Sequence, residues 1–399
     1  MKEEIGQTDG RLNILKYLFV YRATSAIQLA KIVYKTKYPT ISNEKFIYGE
    51  LAKLRKQGLV KMYKPQVHLY KYSLYFLSPQ GLEYIQNSLD LVEGQTGDGW
   101  FPNNLDSHGW FKFEVYSPPL EQVVHHTMLV DFFINITVVE GSEIKHRNNL
   151  YAKRKTWSNH ILRMDAEVCY GGKNIAIEID RGSESHQQLI EKFKGYLRYF
   201  KDLETKNMEI DFRDILFIVD NIKLRDAGLK RRWLNVMAAF YKAMGDYAFK
   251  VDLHFCTLDD AYKLLTYEFN EPGYANTLFQ TLRMKHNIEI DDFLRDNLTN
   301  KMYLALDLSD YYFTMCVQEY STSIVRLYDI FKNHSIKCKD IYIACVHELP
   351  QFDYDLARYE VPKKIEQLFK ELQIVITDEN RIELLRVKEV IDGHLVRLG

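Results

Sequence analysis

The chain has 399 residues, 46% of them hydrophobic and 27% charged, with a net charge of −1. Its 28 Tyr and 22 Phe, with modest Gly and Pro and no low-complexity stretch, exclude a disordered or collagen-like protein and leave room for two or three ordinary cores. No apolar run approaches the roughly 20 residues of a membrane span, and Met1-Lys-Glu-Glu lacks a signal-peptide core. The five cysteines (Cys169, Cys256, Cys316, Cys338, Cys345) are odd in number and form no CxxC pair, so a reducing cytoplasm is expected, without disulfides or zinc.

Charge is unevenly spread. Residues 1–88 carry 14 Lys and Arg against 6 Asp and Glu, so the remainder must be net acidic. That asymmetry points to a nucleic-acid-binding module on a more neutral body. Leu12, Leu15, Leu18 and Phe19 predict a helix over Arg11–Tyr21. Thr24 or Ser25 can cap a second, Ala26–Tyr34, and Pro39 breaks the chain before a third. Ser42 or Asn43 is the expected cap of that third helix, Glu44–Gln57, in which Phe46, Ile47, Leu51 and Leu54 turn inward. Its other face shows Lys45, Tyr48, Lys53, Arg55 and Lys56. Gly58 ends it. Leu59–Tyr63 and Leu69–Ser78 read as the two strands of a wing, and Ser78-Pro79 starts a further helix.

Residues 1–89 resemble a winged helix-turn-helix, most of all where the third helix runs into Gly58-Leu59-Val60. The resemblance implies double-stranded DNA as partner. Lys45, Tyr48, Lys53, Arg55 and Lys56 would then contact groove or phosphate, and Lys61, Lys64 and Lys71 would lie on or near the wing. Basic contacts of this kind supply affinity rather than sequence choice.

Residues 90–119, rich in Gly, Pro and Asn, read as a linker, although Trp100, Phe101, Trp110 and Phe111 predict that it packs on something. A helix from Leu120 to about Phe133 opens the central domain, 120–260. Its His125 and His126 point about 100° apart and so do not readily share a metal. A structural role is expected for each, with one placed to approach DNA or the acidic site that follows.

That acidic site is Arg163-Met-Asp165-Ala-Glu167, a Gly171-Gly172 turn, and Ile175-Ala-Ile-Glu178-Ile-Asp180. Leu162, Met164, Ala166 and Val168 alternate with polar residues, as do Ile175, Ile177 and Ile179, which predicts a hairpin. A two-residue loop sets Asp165 opposite Glu178, and a four-residue loop sets it opposite Asp180. Opposed like charges destabilise a sheet unless a cation lies between them. Asp165, Glu178 and Asp180 therefore suit a hard metal, Mg2+ or Mn2+. The competing reading is a solvated outer face. On the next helix Leu189, Ile190, Phe193, Leu197 and Phe200 face a core, while Gln188, Lys192 and Tyr196 stand on a separate row, with Tyr199 following. Carboxylates to hold a metal and a lysine to stabilise phosphate charge are parts for phosphodiester chemistry.

Ile215–Asp220 and Val251–Phe255 predict buried strands, with a helix through Arg231-Arg232-Trp233 between them, making an α/β sandwich with a mixed sheet. That order and the acidic motif look like the PD-(D/E)xK nuclease superfamily. More narrowly, residues 1–260 resemble the plasmid replication-relaxation family, close to the nuclease-fold relaxases. The carriers are Arg163-Met-Asp165-Ala, Ile177-Glu178-Ile-Asp180-Arg-Gly and the Lys192–Tyr196 helix.

The resemblance implies cytoplasmic action on the DNA of a plasmid or integrative element, with metal-dependent nicking during replication or transfer. It also implies single-stranded DNA at a nick and the other proteins of a replication or transfer complex as partners. Asp180 departs from the pattern, standing where the superfamily has lysine, and Met164 stands where proline is common; Lys192 can supply the lysine from the helix. Otherwise the domain is a relic on a DNA-binding accessory factor or transcriptional regulator. Tyr196 or Tyr199 could serve as nucleophile, whereas a metal-activated water needs neither.

Residues 261–399 predict a small C-terminal α/β region, with strands at Met302–Leu308, Ile341–Val346 and Leu372–Ile376 and helices near 321–333 and 361–372. No residues there have catalytic spacing.

Overall fold

The computed structural model describes residues 7–66, 71–102, 105–138, 144–156, 159–170, 172–219 and 226–261, and beyond them 265, 292–295, 303–306, 311–316, 320–333, 340–345, 354, 356–377 and 382–386. It divides into two compact units: Met1–Lys153 with Arg163–Cys169, and Arg154–Leu162 with Tyr170–Gly399.

Unit 1 opens with α1 (Gln7–Tyr21), β1 (Ala23–Ser25), α2 (Ala26–Val33), α3 (Ile41–Lys56), β2 (Val60–Tyr63), β3 (Leu74–Leu77) and α4 (Pro79–Ser88). The three strands form an antiparallel sheet in the order β1-β3-β2. Ser25 caps α2 in a reciprocal capping box with Gln28, as one of the two expected caps. The cap of α3 is Thr40 rather than Ser42 or Asn43, and Asn43 instead returns the box bond to Thr40. The helix thus starts immediately after Pro39, because Thr40 is extended (φ −76°, ψ 160°) and so suited to the cap position. Residues 69 and 70 of the expected second wing strand lie outside the described residues, and Lys71–Ser73 are not strand, so β3 begins only at Leu74.

Ile14, Leu18, Leu29, Ile47, Leu51, Leu54 and Leu77 form the core beneath these elements. Phe46, expected inside, is 43% exposed. It lies beside the Ile47–Leu51–Leu54 stripe and meets Tyr34 edge-on instead.

Residues 90–119 pack as their aromatics predicted. Phe111 and Tyr116, the latter at the end of α5 (Phe113–Tyr116), join the same core. The Tyr116 hydroxyl is shared between the carbonyls of Leu18 and Phe19, 2.7 and 3.0 Å away. α6 (Val123–Val138) follows, and β4 (Lys145–Asn148) pairs antiparallel with β7 (Ala166–Tyr170).

Between these last two strands run β5 (Lys153–Lys155) and β6 (Ile161–Arg163), which pair with each other. The expected continuous strand through Leu162–Val168 is therefore broken, and Met164 and Asp165 form the bend between β6 and β7. Met164 N–H bonds the Ala152 carbonyl there, 3.2 Å away. The two alternative hairpin registers depend on Gly171, which lies outside the described residues.

Unit 2 is built on β8 (Lys173–Asp180), α7 (His186–Thr205), β9 (Phe212–Val219), α8 (Asp226–Met244) and β10 (Asp252–Thr257). β8, β9 and β10 are parallel neighbours, as strand–helix–strand connections require. Phe193 of α7 packs on Phe217, and Trp233 of α8 packs on Phe255. β8 is buried on both faces: Ile175, Ile177 and Ile179 on one side, Glu178 and Asp180 on the other. A solvated outer face is thereby ruled out for these two acids.

The C-terminal part adds a mixed five-stranded sheet, β11 (Asp292–Arg295), β12 (Tyr303–Leu306), β13 (Tyr311–Cys316), β14 (Asp340–Cys345) and β15 (Ile382–Arg386), in that order. Its first three strands are antiparallel and its last three parallel. Two helices accompany it, α9 (Ser323–Asn333) and α10 (Lys363–Thr377). The expected strand Leu372–Ile376 is the end of α10. Buried Ile365, Leu368, Phe369 and Leu372 recur at helical spacing, and that period overrides the β-branched run Ile374-Val-Ile.

Among the described residues no helix is long and apolar enough to cross a membrane.

Candidate functional site

All eight basic or aromatic residues expected on the third helix and wing are exposed: Lys45, Tyr48, Lys53, Arg55, Lys56, Lys61, Lys64 and Lys71. On α3 the stripe Ile41, Lys45, Tyr48, Ala52, Arg55 and Lys56 follows helical spacing and faces away from the core. Its middle is shallow, because a Cβ built on Gly49 would meet nothing within 4 Å and Ala52 is the next side chain. Long cations thus flank a stretch where another surface can approach the backbone closely.

Of the two acids of α3, Glu44 is half-buried in the first turn beside Lys45, and Glu50 is withdrawn from that face. Glu50 is buried and held by Arg11 at 2.6 Å and Lys53 at 2.5 Å. Burial alone would raise its pKa, but the two cations outweigh burial and bring it below the ordinary value. Lys53 is accordingly committed to Glu50. Lys61 lies 5.7 Å over the Phe113 ring.

The acidic residues of β8 have a different setting. Glu178 is 2% exposed. Its Oε2 accepts from Lys192 Nζ at 3.0 Å and its Oε1 from the Tyr196 hydroxyl at 2.5 Å. Lys192 and Tyr196, four apart on α7, reach one carboxylate, as their shared row predicted. Lys192 also lies 3.1 Å from Glu184. Tyr196 is wholly buried, so its hydroxyl is committed to Glu178 rather than offered to a phosphate. Tyr199 gives its hydroxyl to Asp211 at 2.9 Å, and burial pushes its pKa up.

Asp180, 1% exposed, is clasped by Arg232 of α8, with Nε at 2.6 Å from one oxygen and Nη2 at 2.8 Å from the other. Gly182 N–H adds a third bond at 2.7 Å. Both oxygens of Asp180 are thus already engaged by a guanidinium and a backbone N–H, a competitor for any cation there. Lys192 stands against Glu178 rather than beside Asp180.

Asp165 belongs to unit 1, where His125 Nε2 of α6 lies 3.0 Å from its Oδ2. Both side chains are about a fifth exposed, at 22% and 23%. His126 points the other way, to the Ala23 carbonyl at 3.1 Å, and burial drives its pKa down to about 3. The adjacent histidines thus divide as helix geometry predicts, one structural and one on the acid. They line a small pocket with Arg22, Asn149 and Gln122. Arg22, buried and at φ +65°, donates to the Tyr116 carbonyl and to Asn149 at 2.8 and 2.9 Å.

Sequence reasoning missed Arg232, Arg22 and a second buried cluster. Among the described residues, ligand atoms of Asp214, Asp252 and His254 lie within 4.8 Å of one another. Arg326 holds both oxygens of Asp252 at 2.8 and 2.6 Å, and His254 holds Asp214 at 2.8 Å. This cluster too is internally paired, Arg326 with Asp252 and His254 with Asp214. Asp252-Leu-His254 in an apolar strand does signal two polar groups on one face, but nothing local signals Arg326, 74 residues away.

The sequence model of the replication-relaxation family matches residues 15–211. No curated protein matches the chain.

Proposed function

Since residues 15–211 of this chain belong to the replication-relaxation family, we propose that it binds duplex DNA in the cytoplasm and acts in the replication, relaxation or transfer of a plasmid or integrative element. The α1–β3 module reads as a winged helix-turn-helix, with α3 as the helix that enters the major groove and the β2–β3 wing beside the adjacent backbone. The observation that carries this reading is the outward face of α3. There Lys45, Arg55 and Lys56 flank open Gly49 and Ala52, and of the two acids of α3 Glu50 is buried and paired while Glu44 stays half-buried in the first turn. A surface so charged attracts a polyanion at long range and admits it closely. In a gel-shift assay, duplex DNA is retarded in the presence of EDTA. Loss of the shift on chelation would contradict the reading.

Metal-dependent nicking is the second reading, and one observation favours it: Lys192 lies 3.0 Å from Glu178. The pair supplies, from strand and helix, a carboxylate and lysine of the PD-(D/E)xK type. Arg232 competes with a metal at Asp180, and Tyr196 drops out as nucleophile because it is buried. Asp165 and Glu178 are the carboxylates to test, each in its own unit. Supercoiled plasmid incubated with Mn2+ or Mg2+ should open to circles that EDTA, Asp165→Asn and Glu178→Gln each abolish. Intact plasmid that is nonetheless retarded would leave a non-catalytic accessory factor.

A further inference from the structure

The turn joining α2 to α3 is rich in outward-facing rings. Tyr38 is 79% exposed, Ile41 74%, Phe46 43% and Tyr34 36%. Lys37 Nζ lies 5.8 Å from the Tyr38 ring centre, and Tyr34 meets Phe46 edge-on at 6.4 Å. Residues 34–43 include Lys35 and Lys37 and no acid, and Glu44 and Lys45 follow one turn into α3. The rings and cations are therefore interleaved.

The backbone holds this display in place. α2 ends in a Schellman turn, with Thr36 N–H on the Lys31 carbonyl at 3.0 Å and Lys35 N–H on Ile32 at 3.2 Å. The left-handed residue in it, at φ +46°, is Lys35, where glycine would avoid the Cβ clash. Thr36 Oγ1 then accepts from Tyr38 N–H at 3.3 Å.

We propose that this turn is a stacking platform for unpaired bases of single-stranded DNA, continuous with the duplex-binding face of α3. The inference rests on the DNA-binding reading above for its neighbour but not for its own chemistry. Unpaired bases offer the ring faces that a duplex conceals, and their phosphates supply anions for Lys35, Lys37 and Lys45, which form no ion pair among the described residues. An apolar protein surface would cover the rings while desolvating those cations without a counter-charge.

Fluorescence anisotropy on the full chain tests the proposal with three labelled probes: a blunt duplex, the same duplex with a single-stranded extension, and oligothymidine. The extension should raise wild-type affinity about tenfold, the scale of one or two stacked bases. Tyr38→Ala and Lys35→Gly should lose most of that gain and leave blunt-duplex affinity nearly unchanged. Lys35→Gly relieves the left-handed strain, so its melting temperature should equal or exceed that of the wild type, which separates lost binding from lost folding.

No gain from the extension, or variants that keep it, would overturn the platform and leave the rings to a protein partner. Failure of the blunt duplex alone, with oligothymidine still bound in a Tyr38-dependent way, would contradict the α3 reading and support the platform.

Discussion

The charges of α3 and those of β8 are placed in opposite ways. On α3, Lys45, Arg55 and Lys56 are exposed with no ion pair among the described residues, and of the helix's two acids Glu50 is buried while Glu44 is half-buried in the first turn. On β8, Glu178 and Asp180 are buried, and each carboxylate holds cationic or hydroxyl donors from α7 or α8. An exposed unpaired charge is available to a ligand at little cost, whereas a buried paired charge is part of the fold until something displaces its partner. On the proposed reading binding belongs to α3, and β8 is first a structural strand.

Removing a partner from β8 should have the largest effect. Arg232→Ala leaves Asp180 buried without its guanidinium and should destabilise unit 2 by ~3–5 kcal/mol in urea denaturation. Adding Asp180→Asn to that variant should restore part of the loss, and no restoration would break the pairing argument. A second test uses acid. Burial holds the imidazoles of His126 and His146 in unit 1 at about 3 against an ordinary 6.5, so the unfolded chain binds protons that the folded one refuses. Stability should be full above pH 6.5 and fall as the pH drops toward 3, by ~1.4 kcal/mol per pH unit for each histidine. Urea midpoints unchanged between pH 7 and pH 5 would contradict this.

Tyr196→Phe removes one hydroxyl donor from Glu178 while Lys192 remains, and should cost ~1–3 kcal/mol in the same urea assay. A neutral result would mean that Lys192 alone satisfies the carboxylate. The smallest stability effect belongs to α3. Alanine at Lys45, Arg55 or Lys56 should move stability by no more than ~0.5 kcal/mol while weakening DNA binding. A larger loss of stability would show that this face serves the fold after all.

Legibility in the sequence follows the same division. The helices of the N-terminal module and its two wing strands were readable from leucine spacing, Pro39 and Gly58, because those signals are local, whereas β1, which depends on pairing with β3, and the start of β3 at Leu74 were not. The exposed cations of α3 were readable because nothing distant competes for them. The row Gln188–Lys192–Tyr196 correctly predicted that Lys192 and Tyr196 reach one place. Phe46 was misjudged because it sits at the margin of the buried stripe, and Leu372–Ile376 because β-branched residues at the end of a packed helix look like a strand. What the sequence could not convey was partnership. Arg232 meets Asp180 across 52 residues, and only the packing of α8 against α7 and β8 brings them together. The acid that resembled a metal ligand therefore proved to be an arginine's partner.

Salt dependence of duplex binding tests the central claim most directly. The logarithm of the association constant is measured against the logarithm of salt concentration for the wild type and for the Lys45→Ala/Arg55→Ala/Lys56→Ala variant. If α3 lies against the phosphates, the slope should fall in magnitude by about two to three, near one for each neutralised contact. A variant that keeps the wild-type slope and affinity would contradict the assignment of DNA binding to this face.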